Sequence, residues 1–366
     1  MSRGACFRIP LLITALVTLS IHSARAQSIQ SAVSDSATGR PVAGGIIQLI
    51  GPHDSVYATA TTSERGSFAL PVVPPGPYRI KVLRIGARAW TSPTVTLSAG
   101  QQTLRPLSVA SEPVMLAEIV VTTSAACRSN LGTDSDVATL WEEARKALKL
   151  AEGTVADRRF DYRMTVVTRH SDPTRQMTTE QRLGRLGTGA WPILSAPADN
   201  LAAHGYVQPA DSVRGPRYYG PDANVFFSDA FMRTHCFRAV APPKKQSGLI
   251  GVGFEPQLSH TLPDIKGVMW LDRQTAELQR IEFEYTGLWR WVPPRITGGE
   301  LKFVRLESGA WIITGWRMTA PIAAVEPLRL GSQPDESVFP YFGNKRVKLG
   351  GFLEEEGQVE EVRAQD

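Results

Sequence analysis

The stretch TTSERGSFALPVVPPGPYRIKVLRIG, residues 61–86, decides the fold of the first part of the chain. Glu64, Arg65 and Gly66 make a turn, a short strand follows, and Pro74, Pro75 and Gly76 end it, because proline cannot donate to a sheet ladder. Beyond them Tyr78, Ile80 and Val82 alternate with Arg79 and Lys81, the period of two that a strand with one wet face requires. Upstream, residues 35–51 (DSATGRPVAGGIIQLIG) use the same grammar, with a Thr-Gly turn before Pro41 and then the apolar run Ile46, Ile47, Leu49, Ile50. Downstream, a strand over 94–97 and a turn at Ser98, Ala99 and Gly100 complete the pattern. Short strands punctuated in this way predict an all-β module over residues 27–110.

These residues resemble the carboxypeptidase regulatory-like domain, a transthyretin-like or carbohydrate-binding-like β-sandwich, over roughly a quarter of the chain. The resemblance implies a scaffold and a carbohydrate-binding-like fold; fold alone does not fix a ligand. The catalytic zinc domain of carboxypeptidases is missing, since no histidine begins the His-x-x-Glu pair that holds their metal. The chain also places Glu64-Arg65-Gly66 where the family has an acidic turn, which leaves no metal expected there. Residues 116–125, LAEIVVTTSA, resemble the linker that precedes the plug of TonB-dependent outer-membrane receptors. No plug or 22-stranded barrel follows, because some 240 remaining residues cannot build one. The bland reading of 111–133 is a linker that finishes the sandwich or bridges two domains.

Residues 1–26 read as a secretory signal peptide, with Arg3 and Arg8 in front, an apolar segment over 9–21 and the small-x-small site Ala24-Arg25-Ala26. A transmembrane anchor is the competing reading, but the apolar run is shorter than the roughly 20 residues a bilayer needs. Cleavage removes three arginines and no acid, leaving 37 basic and 35 acidic residues. That balance, with no basic run longer than Lys244-Lys245, excludes a nucleic-acid footprint. Export to the periplasm or outer-membrane surface is the expected location. Cys6 leaves with the signal, and the remaining pair, Cys127 and Cys236, is expected to form a disulfide in an oxidising compartment. Closing a loop of about 110 residues would constrain the unfolded chain by up to roughly 4–5 kcal/mol. Two buried free thiols are the alternative.

A helix is predicted over 134–153, with Val137, Leu140, Trp141, Ala144 and Leu148 on one face and Glu142, Glu143, Arg145 and Lys146 mostly opposite. Asp134 or Ser135 caps its start and Gly153 ends it. Residues 154–320 are mostly strand. Segments 160–169 and 177–186 pair back on each other, 265–272 and 276–285 form a plain hairpin, and 301–306 with 311–318 form another. Successive hairpins predict one broad antiparallel sheet, similar to the half-barrels of periplasmic lipoprotein carriers, in which a helix plugs the concave face. Residues 321–366, rich in Pro and Gly and ending in acids, read as an extension with a mobile end.

Convergent reactive groups are sparse. There is no His-Glu-x-x-His, Gly-x-Ser-x-Gly or Walker-type loop. His235 and Cys236 are both metal-ligating types, but neighbours on a strand point to opposite faces. Glu282 and Glu284 share a face and imitate an acid–base pair, although alternating acids usually mark the wet side of a sheet. Trp289 and Trp291, flanking Arg290 before two prolines, are the candidate ligand contacts, since sugar rings stack on exposed indoles; packing is the competing reading.

The fold class expected is mainly β: an N-terminal β-sandwich plus a second antiparallel sheet domain with one amphipathic helix. The function expected is non-enzymatic binding of a glycan or envelope protein, with no catalytic residue, metal or cofactor. The alternatives are a periplasmic carrier of a hydrophobic ligand and an accessory of TonB-dependent transport.

Overall fold

The computed structural model describes residues 28–71, 73–100, 102–116, 135–158, 160–189, 191–211, 215–257, 261–293, 296–327 and 345–364. Residues 1–26, expected as a signal peptide, Cys127 and the TonB-linker-like segment beyond Leu116 lie outside the described residues. The chain is mainly β, in two units.

Nine short strands build the first unit: β1 (Ser28–Asp35), β2 (Ile46–Ile50), β3 (Val56–Thr61), β4 (Ser67–Pro71), β5 (Gly76–Arg84), β6 (Ala87–Thr91), β7 (Val95–Leu97), β8 (Gln102–Thr103) and β9 (Leu107–Val109). One sheet runs β4-β1-β8 with β9 beside β1, and the other runs β3-β2-β5-β6 with β7 beside β5. Ile29, Val33, Ile47, Leu49, Phe68 and Leu97 fill the space between them. The alternation in β5 does what it predicts: Tyr78, Ile80 and Val82 are buried, while Arg79 and Lys81 are half-exposed. Gly66 turns the chain between β3 and β4 at φ +73°, where a side chain would strike the Val33 carbonyl.

The second unit contains α1 (Ser135–Asp157), β10 (Phe160–Ser171), β11 (Met177–Gly187), α2 (Ala198–His204), β12 (Val207–Asp211), β13 (Gly215–Tyr218), α3 (Ala223–Phe227), α4 (Asp229–Thr234), β14 (His235–Val240), β15 (Leu249–Pro256), β16 (Asp264–Asp272), β17 (Leu278–Thr286), β18 (Gly298–Arg305), β19 (Trp311–Pro327) and β20 (Lys345–Ala364). Its nine-stranded sheet has the order β11-β10-β20-β19-β18-β17-β16-β15-β14 and is antiparallel throughout. The hairpins expected over 265–285 and 301–318 are β16-β17 and β18-β19. The sheet remains open.

Helix α1 lays Val137, Leu140, Trp141, Ala144, Leu148 and Ala151 on one face of the sheet, against β14 to β17 and β19. It runs past Gly153 to Asp157 and stops where Arg158 takes φ +49°. An internal glycine costs a helix only about 1 kcal/mol, and the following turn offsets this by burying Thr154. Within residues 154–320, expected to be mostly strand, the aromatic stretch after Gly220 instead holds α3 and α4. Asp222 accepts the Val225 N–H at 2.8 Å and Ser228 accepts the Phe231 N–H at 3.0 Å, so each helix has its own cap.

Two further expectations are corrected. The described residues 321–327 and 345–364 do not form an extension with a mobile acidic end: β19 continues to Pro327, and β20 is an internal strand between β19 and β10. Glu354 and Glu356 are held by Arg169 of β10, which donates to them at 2.9 and 2.7 Å from Nη1, and to Glu180 at 2.8 Å from Nε. Together they raise the pKa of Arg169. Glu143 and Lys146 are also not on a wet helix face; they are 2% and 6% exposed. The sandwich covers them. Lys146 Nζ donates to the carbonyls of Arg84 at 2.9 Å and Ala87 at 2.8 Å and to Glu143 Oε1 at 2.6 Å, while Glu143 Oε2 accepts the Gly86 N–H at 2.9 Å. Ile46 and Leu83 of the sandwich enter the same core as α1.

Candidate functional site

Cross-strand neighbours share a face of the sheet, so the register sorts its side chains into two sides. The outer side carries a groove of about 630 Å³ lined by Arg238, Lys266, Arg317, Glu255, Glu282 and Glu284 among others. Several of its charges already have partners. Lys266 meets Glu284 at 2.8 Å, Arg317 meets Glu300 at 3.6 Å, and Glu282 takes both Arg280 Nε at 2.6 Å and the Trp270 indole N–H at 3.0 Å. Glu282 and Glu284 therefore sit on the wet side, each with a cationic partner, and do not face each other as an acid–base pair.

The helix side offers a smaller and drier space. A cavity of about 450 Å³ lies between the end of α1 at Val155, strands β10, β19 and β20, and the segment after β11. Tyr162, Met164 and Val166 of β10 form one wall, and Ile312, Ile313 and Trp316 of β19 form the other. Trp191 and Pro192 border it, and Arg185 and Glu355 are the charged members of its lining. Burial pushes the Tyr162 hydroxyl up to about 12, the cost of ionising a phenol away from water.

Two features show how the cavity is shaped. The Trp191 indole N–H is tied to the Pro221 carbonyl at 3.2 Å, which fixes that ring. Trp316 lies flat on Gly357 of β20, and a Cβ at Gly357 would run into its ring. The indole N–H of Trp316 is buried without a hydrogen-bond partner, an arrangement that costs roughly 1–3 kcal/mol unless something else accepts it.

The residues singled out from sequence fall elsewhere. Trp289 is 7% exposed and Trp291 half-buried, their rings stacked 5.3 Å apart with planes 3° from parallel, and both pack on the α1 core. The open stacking platform expected there is a packed pair, because the apolar faces find each other. Trp316 and Trp191 were missed as site residues; their strand and loop positions gave no signal beyond hydrophobicity.

His235 and Cys236 are adjacent on β14 and both buried. His235 is 3.3 Å from Asp264, 3.2 Å from the Ile265 carbonyl and 3.0 Å from the Thr234 hydroxyl, with its ring stacked on Phe231 at 3.9 Å. These contacts tie the end of α4 to β16. The neighbouring cavity of about 10 Å³ is the size of one water. Burial, followed by the charges of Asp264 and Asp222, raises the Tyr206 hydroxyl beside it well above its ordinary value. Among the described residues no group of three or more His, Cys, Asp or Glu could hold a metal ion. No described helix is long and apolar enough to cross a membrane.

Residues 28–112 match the carboxypeptidase regulatory-like domain family. Comparison with curated proteins gives no significant match. Among solved structures, two mutants of a type II cohesin–X-dockerin complex from Acetivibrio cellulolyticus are similar to parts of the chain. One is 20% identical, covering 22% of this chain and 52% of that one, with a TM-score of 0.18. The other is 16% identical, covering 31% and 71%, with a TM-score of 0.20. Fervidolysin from Fervidobacterium pennivorans, a keratinolytic enzyme related to subtilisin, is 10% identical over 78% of this chain and 30% of its own, with a TM-score of 0.18. The chain thus spans about half the length of the first of these structures and under a third of the last. At these scores the likenesses carry no argument about activity.

Proposed function

We propose that the protein is a non-enzymatic carrier or receptor for a hydrophobic ligand, exported to the cell envelope, in which the open sheet holds the ligand and the sandwich serves as a rigid docking module. The observation that carries this reading is the largely apolar cavity walled by Tyr162, Met164, Val166, Ile312, Ile313 and Trp316. Its size falls within the roughly 300–1,000 Å³ of small-molecule sites. The layout of a broad antiparallel sheet with α1 across one face agrees with the half-barrel carrier expectation. The glycan- or protein-binding reading rests on the family match of residues 28–112, which supports the scaffold.

The test uses residues 27–366 purified from an exporting host. Native mass spectrometry and organic extraction are expected to find about one equivalent of an apolar compound, and a fluorescent fatty acid is expected to compete for the site with quenching of tryptophan emission. Absence of both would overturn the carrier, and a glycan-array signal in their place would favour the sandwich as the binder. The Cys127–Cys236 bridge belongs to the same proposal, since it would tie the segment before α1 to β14. Free thiols in non-reducing mass spectrometry would remove it.

A further inference from the structure

β11 is the terminal strand of the nine-stranded sheet and has β10 as its neighbour. All eleven of its residues are exposed. Three of the nine exposed large apolar side chains among the described residues lie on it: Met177 at 57%, Leu183 at 45% and Leu186 at 81%. It contains no proline, and such an edge presents a row of N–H and C=O groups ready to pair with another strand.

We infer that β11 pairs antiparallel with β11 of a second copy, about a twofold axis through Gln181, joining the two sheets into one. Charge sets this register. Glu180 and Arg182 lie on one face of β11, opposite Arg169 and Val167 of β10. With the axis at Gln181, Glu180 of each copy stands directly across from Arg182 of the other, giving two opposite-charge pairs. Moving the axis by one residue brings Glu180 against itself or Arg182 against itself, so the neighbouring registers are repulsive.

Neither group is saturated by its own chain. Glu180 Oε2 is taken by Arg169 Nε at 2.8 Å, but Oε1 is 3.9 Å from its own Arg182. The Arg182 side chain is 66% exposed. In the same register Thr179 meets Leu183 and Met177 meets Arg185, which covers two of the exposed apolar groups. A twofold contact of this kind closes on itself and leaves no further β11 edge to recruit a third copy.

Sedimentation velocity of residues 27–366, read with thermal melts to confirm folding, tests the pairing. The chain is expected to dimerise. E180R and R182E each place like charges opposite each other twice and are expected to weaken the dimer about tenfold, while E180R/R182E restores it. As an independent check of register, Q181C is expected to give a disulfide-linked dimer under mild oxidation and T178C none, because residue 181 faces itself across the axis and residue 178 does not. A monomer at all concentrations up to about 100 μM would overturn the inference. So would a dimer indifferent to the single exchanges, a double exchange as weak as the singles, or equal cross-linking at the two positions.

Discussion

Lys146→Met is the sharpest probe of how the two units are held together. The substitution keeps the length of the side chain and removes the ammonium, whose three N–H groups are taken up by two sandwich carbonyls and by Glu143. What remains is a carboxylate that is 2% exposed, held by the Gly86 N–H alone. Removing one member of a buried pair costs roughly 3–5 kcal/mol, because the survivor keeps its desolvation penalty. For a structure of this size that is a fall of roughly 10 °C in melting temperature.

The pH dependence separates this cause from simple loss of packing. Burial raises the folded-state pKa of Glu143 above 4.5, with Lys146 and the Gly86 N–H pulling it down. A carboxyl whose pKa is raised on folding contributes stability that is fully present below 4.5 and lost as pH rises through the folded value. Without the cation the folded pKa rises further, so the deficit of K146M is largest at neutral pH and shrinks towards pH 5. E143L/K146M, with no buried charge, is expected to recover most of the loss and to show no such pH slope, ending about 1–3 kcal/mol below wild type for the unpaired backbone groups. Calorimetry and urea titration at pH 5 and 7 read all of this. A K146M protein within about 0.5 kcal/mol of wild type at pH 7, or one whose deficit ignores pH, would refute the reasoning.

Asp35 is lowered to about 2 by the Ser111 hydroxyl first, and then by the Thr38 N–H and hydroxyl and the Ala37 N–H. Its stabilising contribution is therefore present above pH 3.8 and lost as pH falls through 2, and D35N is expected to flatten that acid limb in a circular-dichroism titration. R169Q leaves three glutamates facing one another and should cost about 1–2 kcal/mol in urea melts, with the loss shrinking in 1 M NaCl as the repulsion is screened. G357A pushes a methyl into the Trp316 ring and is expected to cost about 1–3 kcal/mol and to blue- or red-shift tryptophan emission, with fatty-acid competition lost.

The sandwich and the hairpins were legible because their strands have one wet face and one dry one, so residues such as Tyr78, Ile80 and Val82 or Ile281, Phe283 and Tyr285 announce the strand by alternation. β20 was not, because Glu354 and Glu356 look solvated until Arg169, some 185 residues away in sequence, supplies their partner. Glu143 and Lys146 misled for the same reason: a helical wheel puts charge outward, and only the carbonyls of Arg84 and Ala87 make it pay to turn these two inward. The cavity was illegible altogether. Trp316 differs from Trp311 in its neighbours, Gly357 of β20 and the cavity, and not in its local pattern.

The seat of β20 also governs how this protein is made. Phe160 pairs with Ala364, about two hundred residues later, so a nascent chain leaving the ribosome carries β10 and β19 as unfilled edges until β20 has been made. Contacts this distant are slow to form and leave the intermediate exposed to association. Deleting β20 (Lys345–Ala364) would thus remove the seam that joins two parts of one sheet.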